Sequence, residues 1–226
     1  MATYSVPLAV IAGFSVLAVA LPWRWEALPW GLIGSVLGGV LLAAELSWWA
    51  VLATREGWTA ANGLPLELCD VAAVVGAVAL WWRRMLLVEL IWFWGVGGGL
   101  QALLTPEVPA AFPAWLFFQY YVVHGGIVVA ALLLVVGLGV WPRPGAVWRV
   151  AAVTLGYALC IGVVNILTGG NYLWLRHPPT TASLLDLLGP WPWYLLWMVV
   201  VGFAVLVVLQ TPFAIARRRA ARALAS

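Results

Sequence analysis

Long apolar runs are the feature of this sequence that most restricts its fold. Crossing the roughly 30 Å hydrocarbon core of a bilayer takes about 20 mostly apolar residues in a helix. Seven runs of this kind predict membrane-spanning helices over residues 4–22, 29–53, 66–82, 85–104, 114–140, 147–168 and 193–213. The third run is the shortest, which predicts a tilted helix or a locally thin bilayer. We therefore expect an all-α, polytopic membrane bundle of about seven transmembrane helices.

The charge content excludes a water-soluble domain. Only 8% of the residues are charged, against about 25% in soluble globular domains, so the chain cannot cover a water-facing surface. The sequence has no internal repeat and no linker long enough to separate two domains. We expect residues 1–226 to form a single transmembrane helical domain.

The arginines predict the orientation of this bundle. Basic residues concentrate in the cytoplasmic loops of membrane proteins. An N-terminus outside and a C-terminus in the cytoplasm leaves only Arg55 and Arg176 outside. The other nine basic residues then lie inside, at Arg24, Arg83, Arg84, Arg143, Arg149, Arg217, Arg218, Arg219 and Arg222. This bias predicts a multi-pass protein of the cell membrane and accounts for the net charge of +3 without a nucleic-acid partner.

The first run also resembles a signal peptide in one respect. Ala18, Val19 and Ala20 fit a cleavage site. Signal peptides have basic residues before their apolar run, however, and this chain has none there. We expect a retained helix, with cleavage as the alternative.

Polar side chains inside a bilayer are costly and are candidates for function. With the predicted orientation, most of them fall in the outer half of the bundle, and only Glu89 and Gln210 fall in the inner half. The outer set comprises Glu45, Cys69, Asp70, Gln101, Gln119, Tyr120, His124, Asn165, Thr168, Asn171 and Asp186. We therefore expect a polar interior that opens towards the outer leaflet.

Cys69 and His124 are the candidates for chemistry within this set. A cysteine near a helix N-terminus is favoured as thiolate, and Pro65 is placed to start the third helix. Cysteine and histidine can form a nucleophile and its base. The alternative for His124 is a structural hydrogen bond between helices. Cys160 lies among apolar residues, which is typical of a small hydrophobic side chain.

Metal and phosphate sites are not predicted. Two cysteines and two histidines are scattered without paired-ligand spacing, and His177 is expected to contact water or a lipid headgroup. The three glycines of residues 97–99 lie inside a helix, where they favour close helix packing. We expect no metal, no diffusible cofactor and no disulfide between Cys69 and Cys160.

The segment between the last two spans carries its own signals. Ser183 and Asp186 fit a capping box opening a short helix, and Gly189-Pro190 fits its end. An aromatic cluster follows at Trp191, Trp193, Tyr194 and Trp197. This segment is predicted to lie over the outward mouth, either as an interfacial anchor or as a gate for lipid entry.

Several motifs, in order and at matching separations, carry a family resemblance from about Trp58 to the end of the last span. They are Leu64-Pro65-Leu66-Glu67-Leu68-Cys69-Asp70, residues 89–94 leading to 101–106, 117–119 with His124-Gly125, Asn165, 168–173 and 184–194. They resemble the YwaF-like bacterial integral membrane proteins, whose eukaryotic relative is a transmembrane ether-phospholipid acyltransferase. The plan is also similar to the androgen-induced membrane lipid hydrolases, which use a threonine where this chain has Cys69.

The resemblance implies a catalytic cysteine and histidine, matching Cys69 and His124. The hypothesis is a phospholipid acyltransferase or transacylase, in which an outer-leaflet phospholipid acylates Cys69 as a thioester and a lysophospholipid or water accepts the chain. Candidates for oxyanion donors are Asn165, Asn171, Gln101 and Tyr120, with Gln119 beside them. Asp70 and Asp186 are candidates for orienting His124.

Three alternatives remain open at the level of the sequence. A phospholipase-type hydrolase would use the same two residues and differ only in its acceptor. A small transporter would also carry polar residues in its interior, although it would usually show an internal repeat. A non-catalytic lipid-binding protein would keep the tryptophan-rich surface and tolerate Cys69→Ser.

Overall fold

The computed structural model describes residues 2–179 and 184–224, and its regular elements within these ranges are all helical. The α-helices are α1 (Ala2–Arg24), α2 (Trp30–Thr54), α3 (Leu68–Trp82), α4 (Met85–Trp94), α5 (Leu100–Leu104), α6 (Trp115–Leu132), α7 (Ala146–Thr168) and α8 (Trp193–Ala223). Two π-helical turns, Gly95–Gly99 and Leu133–Gly137, continue α4 and α6. Two short 3₁₀ helices, Tyr172–Trp174 and Leu184–Leu188, lie between α7 and α8.

Within the described ranges, six helical stretches are long and apolar enough to cross a membrane. They are Ser5–Arg24, Trp30–Thr54, Met85–Leu104, Trp115–Gly137, Ala146–Thr168 and Trp193–Ala223. The seventh helix, α3, has 15 residues, which at 1.5 Å per residue span about 22 Å, less than the hydrocarbon core. The prediction of an all-α, polytopic membrane bundle is confirmed, and the short helix is the one that the sequence indicated.

The ends of two helices differ most from the predicted spans. The fifth span ends at Gly137 rather than residue 140, because the N–H of Leu138 closes the π-turn on the carbonyl of Leu133 and Gly139 adopts a φ of 67°. The last helix continues to Ala223, past residue 213, because its tail is rich in alanine and arginine, which favour helix. The predicted capping residue Ser183 lies outside the described residues.

Helix α6 lies at the centre of the bundle and packs against α1, α2, α3 and α4. Glycines allow its closest approach to α1. A Cβ on Gly125 would lie 2.6 Å from Cγ1 of Ile11, and one on Gly137 would overlap the carbonyl oxygen of Ala18. Small residues therefore set the spacing between α1 and α6, as they do in many membrane helix pairs.

Long-range contacts bring several arginine-bearing segments to one end of the bundle. The carboxylate of Glu89 accepts hydrogen bonds from the side chains of Arg143 and Arg149, with ion-pair distances of 2.9 and 2.8 Å. Arg217 donates to the carbonyl of Pro142 at 3.0 Å. The segments 55–67 and 169–179 meet each other at the opposite end. The grouping agrees with the predicted topology, while the side of the membrane that each end faces stays a prediction.

Candidate active site

A small cavity inside the bundle brings the two reactive residues together. It measures about 100 Å³ and is lined by Leu68, Cys69, Ala72, Trp94, Gly98, Gly99, Ala102, His124 and Ile127. Cys69 and His124 are its most reactive groups, and most of the remaining lining is apolar. Residues 55 positions apart in the sequence therefore line the same cavity near the first turn of α3.

Cys69 is the second residue of α3 and is partly exposed. A capping box starts this helix: the side chain of Glu67 accepts from the backbone N–H of Asp70, and Asp70 accepts from the N–H of Glu67 at 2.9 Å. The Cys69 thiol lies 4.0 Å from Oδ1 of Asp70, a weak hydrogen bond. The capping box thus fixes the turn that presents the thiol to the cavity.

His124 has a defined tautomer in this setting. Its Nδ1 lies 2.9 Å from the carbonyl oxygen of Tyr120, one helical turn earlier. A carbonyl can only accept, so Nδ1 carries the proton and Nε2 holds the lone pair. The structure gives Nε2 no hydrogen-bond partner among residues 2–179 and 184–224. The tyrosine ring stacks on the imidazole at 4.2 Å between centroids, which further restricts its orientation.

Two carboxyl groups near Cys69 were not among the predicted site residues. Glu45 of α2, which is 1% exposed, lies close to Asp70 and accepts from the indole N–H of Trp49 at 2.6 Å. Glu67 is the second group. In the sequence, the four-residue spacing of Glu45 and Trp49 indicates a side-chain contact on one face of a helix. The three-residue spacing of Glu67 and Asp70 indicates a capping box at the start of a helix.

Glu67 ties the start of α3 to the segment after α7. Its carboxylate accepts from the N–H of Leu173 at 3.1 Å. Leu173 and Trp174 both adopt left-handed backbone angles, with φ of 57° and 53°, which cost free energy for such residues. Burial raises the pKa of Glu67, which precedes α3, to about 7, while the Leu173 hydrogen bond acts in the opposite direction.

Three tyrosines hold the same region in place. Tyr157 donates to the carbonyl of Leu66 at 2.8 Å. Tyr172 donates to the carbonyl of Ala60 at 3.0 Å and accepts from the N–H of Leu64 at 2.9 Å. Tyr194 donates to the carbonyl of Trp174. The segment that leads into Cys69 is therefore held by hydrogen bonds from α7 and from the loop that follows it.

The asparagines proposed as oxyanion donors lie in this loop scaffold and do not line the cavity. The amide of Asn165 exchanges two hydrogen bonds of 2.9 Å with the backbone of Tyr172. Asn171 donates to the carbonyl of His177 and accepts from the N–H of Arg176, both at 2.9 Å. Asp186 is exposed on the 3₁₀ helix Leu184–Leu188. None of the three is placed beside His124.

The remaining candidates lie on α5 and α6. The Gln101 amide donates to the hydroxyl of Thr105 at 3.0 Å. Gln119 is buried and donates to the carbonyl of Ala44 at 3.4 Å, joining α6 to α2. The Tyr120 hydroxyl donates to the carbonyl of Ala102 at 2.7 Å. Of these three residues, Tyr120 is the one that contacts cavity residues, through its ring against His124 and its hydroxyl on Ala102.

Backbone donors are available beside the thiol. The first N–H groups of a helix have no partner within the helix. In the described part of the chain, the structure gives no hydrogen bond from the N–H of Leu68 or Cys69. Both residues line the cavity. These donors had no signal of their own in the sequence beyond the predicted start of the helix.

The described residues contain no group of three or more histidine, cysteine or acidic side chains that could hold a metal ion. Cys160 is exposed on α7, and both cysteines are free thiols. The polar side chains in the cavity lining are the thiol of Cys69 and the imidazole of His124.

The family follows from a match over most of the chain. The sequence model of the TMEM164 family matches residues 2–210. The chain belongs to the TMEM164 family. No curated protein and no solved structure matches it.

Membership of the TMEM164 family agrees with the resemblance to a eukaryotic transmembrane relative. The more specific likeness to the YwaF-like bacterial proteins stays a prediction. The matched region of this TMEM164-family protein includes Cys69, His124 and the whole cavity lining.

Proposed function

We propose that this TMEM164-family protein is a membrane-embedded phospholipid acyltransferase that forms a thioester at Cys69 with His124 as base. One observation carries the proposal: the thiol and the imidazole line the same small, mostly apolar cavity. The tautomer of His124 supports it, because a proton on Nδ1 leaves Nε2 free to accept another. A buried polar pair around an otherwise apolar space is suited to an ester bond carried by a lipid.

The reaction has two balanced halves. Nε2 of His124 takes the thiol proton as Sγ attacks the carbonyl carbon of a phospholipid ester. The carbon–oxygen ester bond then breaks, and Nε2 returns the proton to the departing alcohol oxygen, which leaves lysophospholipid and acylated Cys69. In the second half, a lysophospholipid hydroxyl loses its proton to Nε2 and attacks the thioester carbonyl carbon. The carbon–sulfur bond then breaks, and Nε2 returns the proton to Sγ, which leaves a phospholipid and the free thiol.

The oxyanion of each tetrahedral intermediate requires hydrogen-bond donors in a dry site. The N–H groups of Leu68 and Cys69 meet this requirement better than the predicted asparagines, whose amides are bonded to the loop scaffold. The positive end of the α3 dipole adds to the stabilisation of negative charge. We assign the oxyanion site to the first turn of α3.

The donor is an outer-leaflet lipid in this proposal. The cavity lies near the end formed by segments 55–67 and 169–179, away from the arginine-bearing end. With the predicted orientation, that end faces the outside, where acyl-CoA is absent. The acyl donor is therefore a phospholipid, and a lysophospholipid is the acceptor.

Intact-protein mass spectrometry tests the proposal. Wild type, Cys69→Ala and His124→Ala are purified and incubated with a defined phosphatidylcholine. Wild type is expected to gain the mass of one acyl chain, reversible by hydroxylamine, while both variants gain none. Cys160→Ala is the matched control and is expected to behave as wild type, since Cys160 lies on the exposed face of α7.

Two results decide the outcome. No adduct on wild type, together with unchanged lipid and no free fatty acid, would overturn covalent catalysis. An adduct that decays to fatty acid at the same rate with and without added lysophospholipid would instead identify the hydrolase.

A further inference from the structure

The cavity that holds Cys69 reaches the outer surface of the bundle at Gly98. Gly98 lines the cavity and is itself exposed. No atom from other described parts of the chain lies within 4 Å of the point where a Cβ on Gly98 would sit. The other glycines of this π-turn are enclosed: a Cβ on Gly95 would lie 3.1 Å from Ile127, and one on Gly99 would lie 3.2 Å from Val128. The opening is thus confined to one residue of the turn.

Helix α8 borders this opening without closing it. A Cβ on Gly97 would lie 3.2 Å from Cγ1 of Val205, so α8 meets the π-turn one residue before Gly98. Further out along α8, Val199, Val200 and Val201 are 42, 47 and 49% exposed. Among the described residues, α8 packs against the π-turn Gly95–Gly99 but makes no comparable contact with α5. A gap therefore separates α5 from the outer half of α8.

A polar group without a partner lies at the inner end of this gap, where a ligand would bind. His124 is only 9% exposed, lines the cavity and has Nε2 without a partner in the described residues. The walls between Nε2 and Gly98 are apolar, with Trp94, Ala102 and Ile127 among them. A cavity of about 100 Å³ is also far smaller than the roughly 300–1,000 Å³ that encloses a drug-sized ligand. Only part of a larger molecule can enter it.

The surface around the opening is lipid-facing. Leu100 and Leu104, next along the same helix, are 41 and 74% exposed. Gly98 lies inside the membrane-spanning stretch Met85–Leu104. An occupant arriving at Gly98 therefore comes from the bilayer and contacts apolar side chains on its way.

We propose that Gly98 is a lateral portal through which the ester of a bilayer phospholipid reaches Cys69, with its acyl chain lying in the gap between α5 and α8. The identity of the reacting group rests on the proposed acyl transfer. The absent side chain keeps the portal open, and the π-turn directs the glycine outwards. Most of the lipid stays in the bilayer, as the small volume of the cavity requires.

Gly98→Leu tests the portal, with Gly39→Leu as the matched control. Gly39 of α2 is exposed, a Cβ on it also meets no atom of another described segment within 4 Å, and Gly39 does not line the cavity. Both substitutions add the same exposed side chain to a helical position and favour helix. Gly98→Ala is a milder variant, since a single methyl group leaves most of the portal open.

The first readout does not depend on catalysis. Each variant is made in a Cys69→Ala background, reconstituted in nanodiscs, and irradiated with a phosphatidylcholine bearing a diazirine at mid-chain. We expect crosslinks in the segments 66–72 and 94–102, lost in Gly98→Leu and kept in Gly39→Leu. Crosslinks unchanged by Gly98→Leu, or none in these segments with Gly98 intact, would overturn the portal.

The second readout is the rate of thioester formation with Cys69 present. Gly98→Leu is expected to lower this rate by about tenfold or more, because a displaced ester loses its alignment with the nucleophile, while Gly39→Leu leaves it unchanged. Equal rates in the two variants would overturn the portal. If wild type forms no thioester but the crosslinks follow the expected pattern, the portal stands and the acyl transfer fails.

Discussion

Glu67 links the start of α3 to the strained turn at Leu173. Its pKa is raised to about 7 by burial, so the neutral form is favoured in the folded protein. A carboxyl group whose folded pKa exceeds its unfolded pKa stabilises the fold at low pH. That contribution is full below about 4.5 and is lost as the pH rises through 7.

Glu67→Gln is therefore expected to change the pH dependence of stability. Glutamine stays neutral and keeps an oxygen for the N–H groups of Leu173 and Asp70. The variant should unfold at the wild-type temperature near pH 4.5 and be more stable, on the order of 2 kcal/mol, near pH 8. Thermal unfolding in detergent, followed by tryptophan fluorescence, measures this. Glu56→Gln, at an exposed position, is the control, and parallel curves for Glu67→Gln and wild type would contradict the assignment.

The proposed oxyanion donor at Leu68 can be removed by a single substitution. Proline lacks the N–H and is favoured at the first position of a helix. It also requires an extended residue before it, and Glu67 has a ψ of 154°. Leu68→Pro should therefore fold as wild type does.

Thioester formation by Leu68→Pro is expected to fall by about 100-fold, the usual effect of removing one oxyanion donor. Leu68→Ala is the control, because it loses the same apolar contacts with the cavity but keeps the N–H. Single-turnover mass spectrometry measures both rates. Equal rates for the two variants would place the oxyanion elsewhere.

Their residue types were enough to predict Cys69 and His124 as candidates, but the sequence did not predict what surrounds either side chain. A cysteine and a histidine in the outer half of two predicted spans were visible in the sequence. The roles of Asn165 and Asn171 were not, because whether an amide faces a cavity or a neighbouring loop depends on where residues 169–177 turn back. Glu45 reaches Asp70 through the packing of α2 on α3, which a single sequence does not encode as a pattern.

An ion cluster of Glu89, Arg143 and Arg149 joins α4, α7 and the segment between α6 and α7. The Glu89 side chain is 0% exposed, whereas those of Arg143 and Arg149 are 47 and 37% exposed. Both arginines donate two side-chain hydrogen bonds to this carboxylate, and the backbone N–H of Arg143 adds another. Removing the carboxylate leaves two cations without their shared acceptor.

Glu89→Gln is expected to destabilise the protein by about 1–3 kcal/mol, since hydrogen bonds to charged groups are lost and solvent compensates the arginines only in part. The unfolding temperature in detergent measures this. Glu26→Gln, an exposed carboxylate between α1 and α2, is the control and should change nothing. A Glu89→Gln variant as stable as wild type would show that the cluster does not hold these elements together.

The lengths of the apolar runs predicted the helices, because a membrane-spanning segment must form its backbone hydrogen bonds within itself. It did not predict the π-turns at Gly95–Gly99 and Leu133–Gly137. Each of these turns packs against a neighbouring helix, the first against α6 and the second against α1. A π-turn is wider than a turn of α-helix, and both π-turns occur where a glycine permits close packing. Gly95 of the first turn lies against Ile127, and Gly137 of the second lies against Ala18.

At the scale of the whole molecule, the cavity and the ion cluster of Glu89, Arg143 and Arg149 lie towards opposite ends. The helix starts and loops near Cys69 are bound by Glu67, Tyr157 and Tyr172. The other end is bound by Glu89 and its arginines. The side of the membrane on which each end lies therefore decides which leaflet supplies the lipid.

Cysteine labelling decides this orientation. In a Cys69→Ala, Cys160→Ala background, Arg55→Cys and Arg218→Cys introduce one thiol at each end, both at exposed positions. Because basic residues are retained in the cytoplasm, a membrane-impermeant maleimide should label Arg55→Cys in intact cells and Arg218→Cys only after lysis. The reverse pattern would place the cavity towards the cytoplasmic leaflet, where acyl-CoA is available. The acyl donor proposed above would then have to be tested against acyl-CoA, while the roles of Cys69 and His124 would be unaffected.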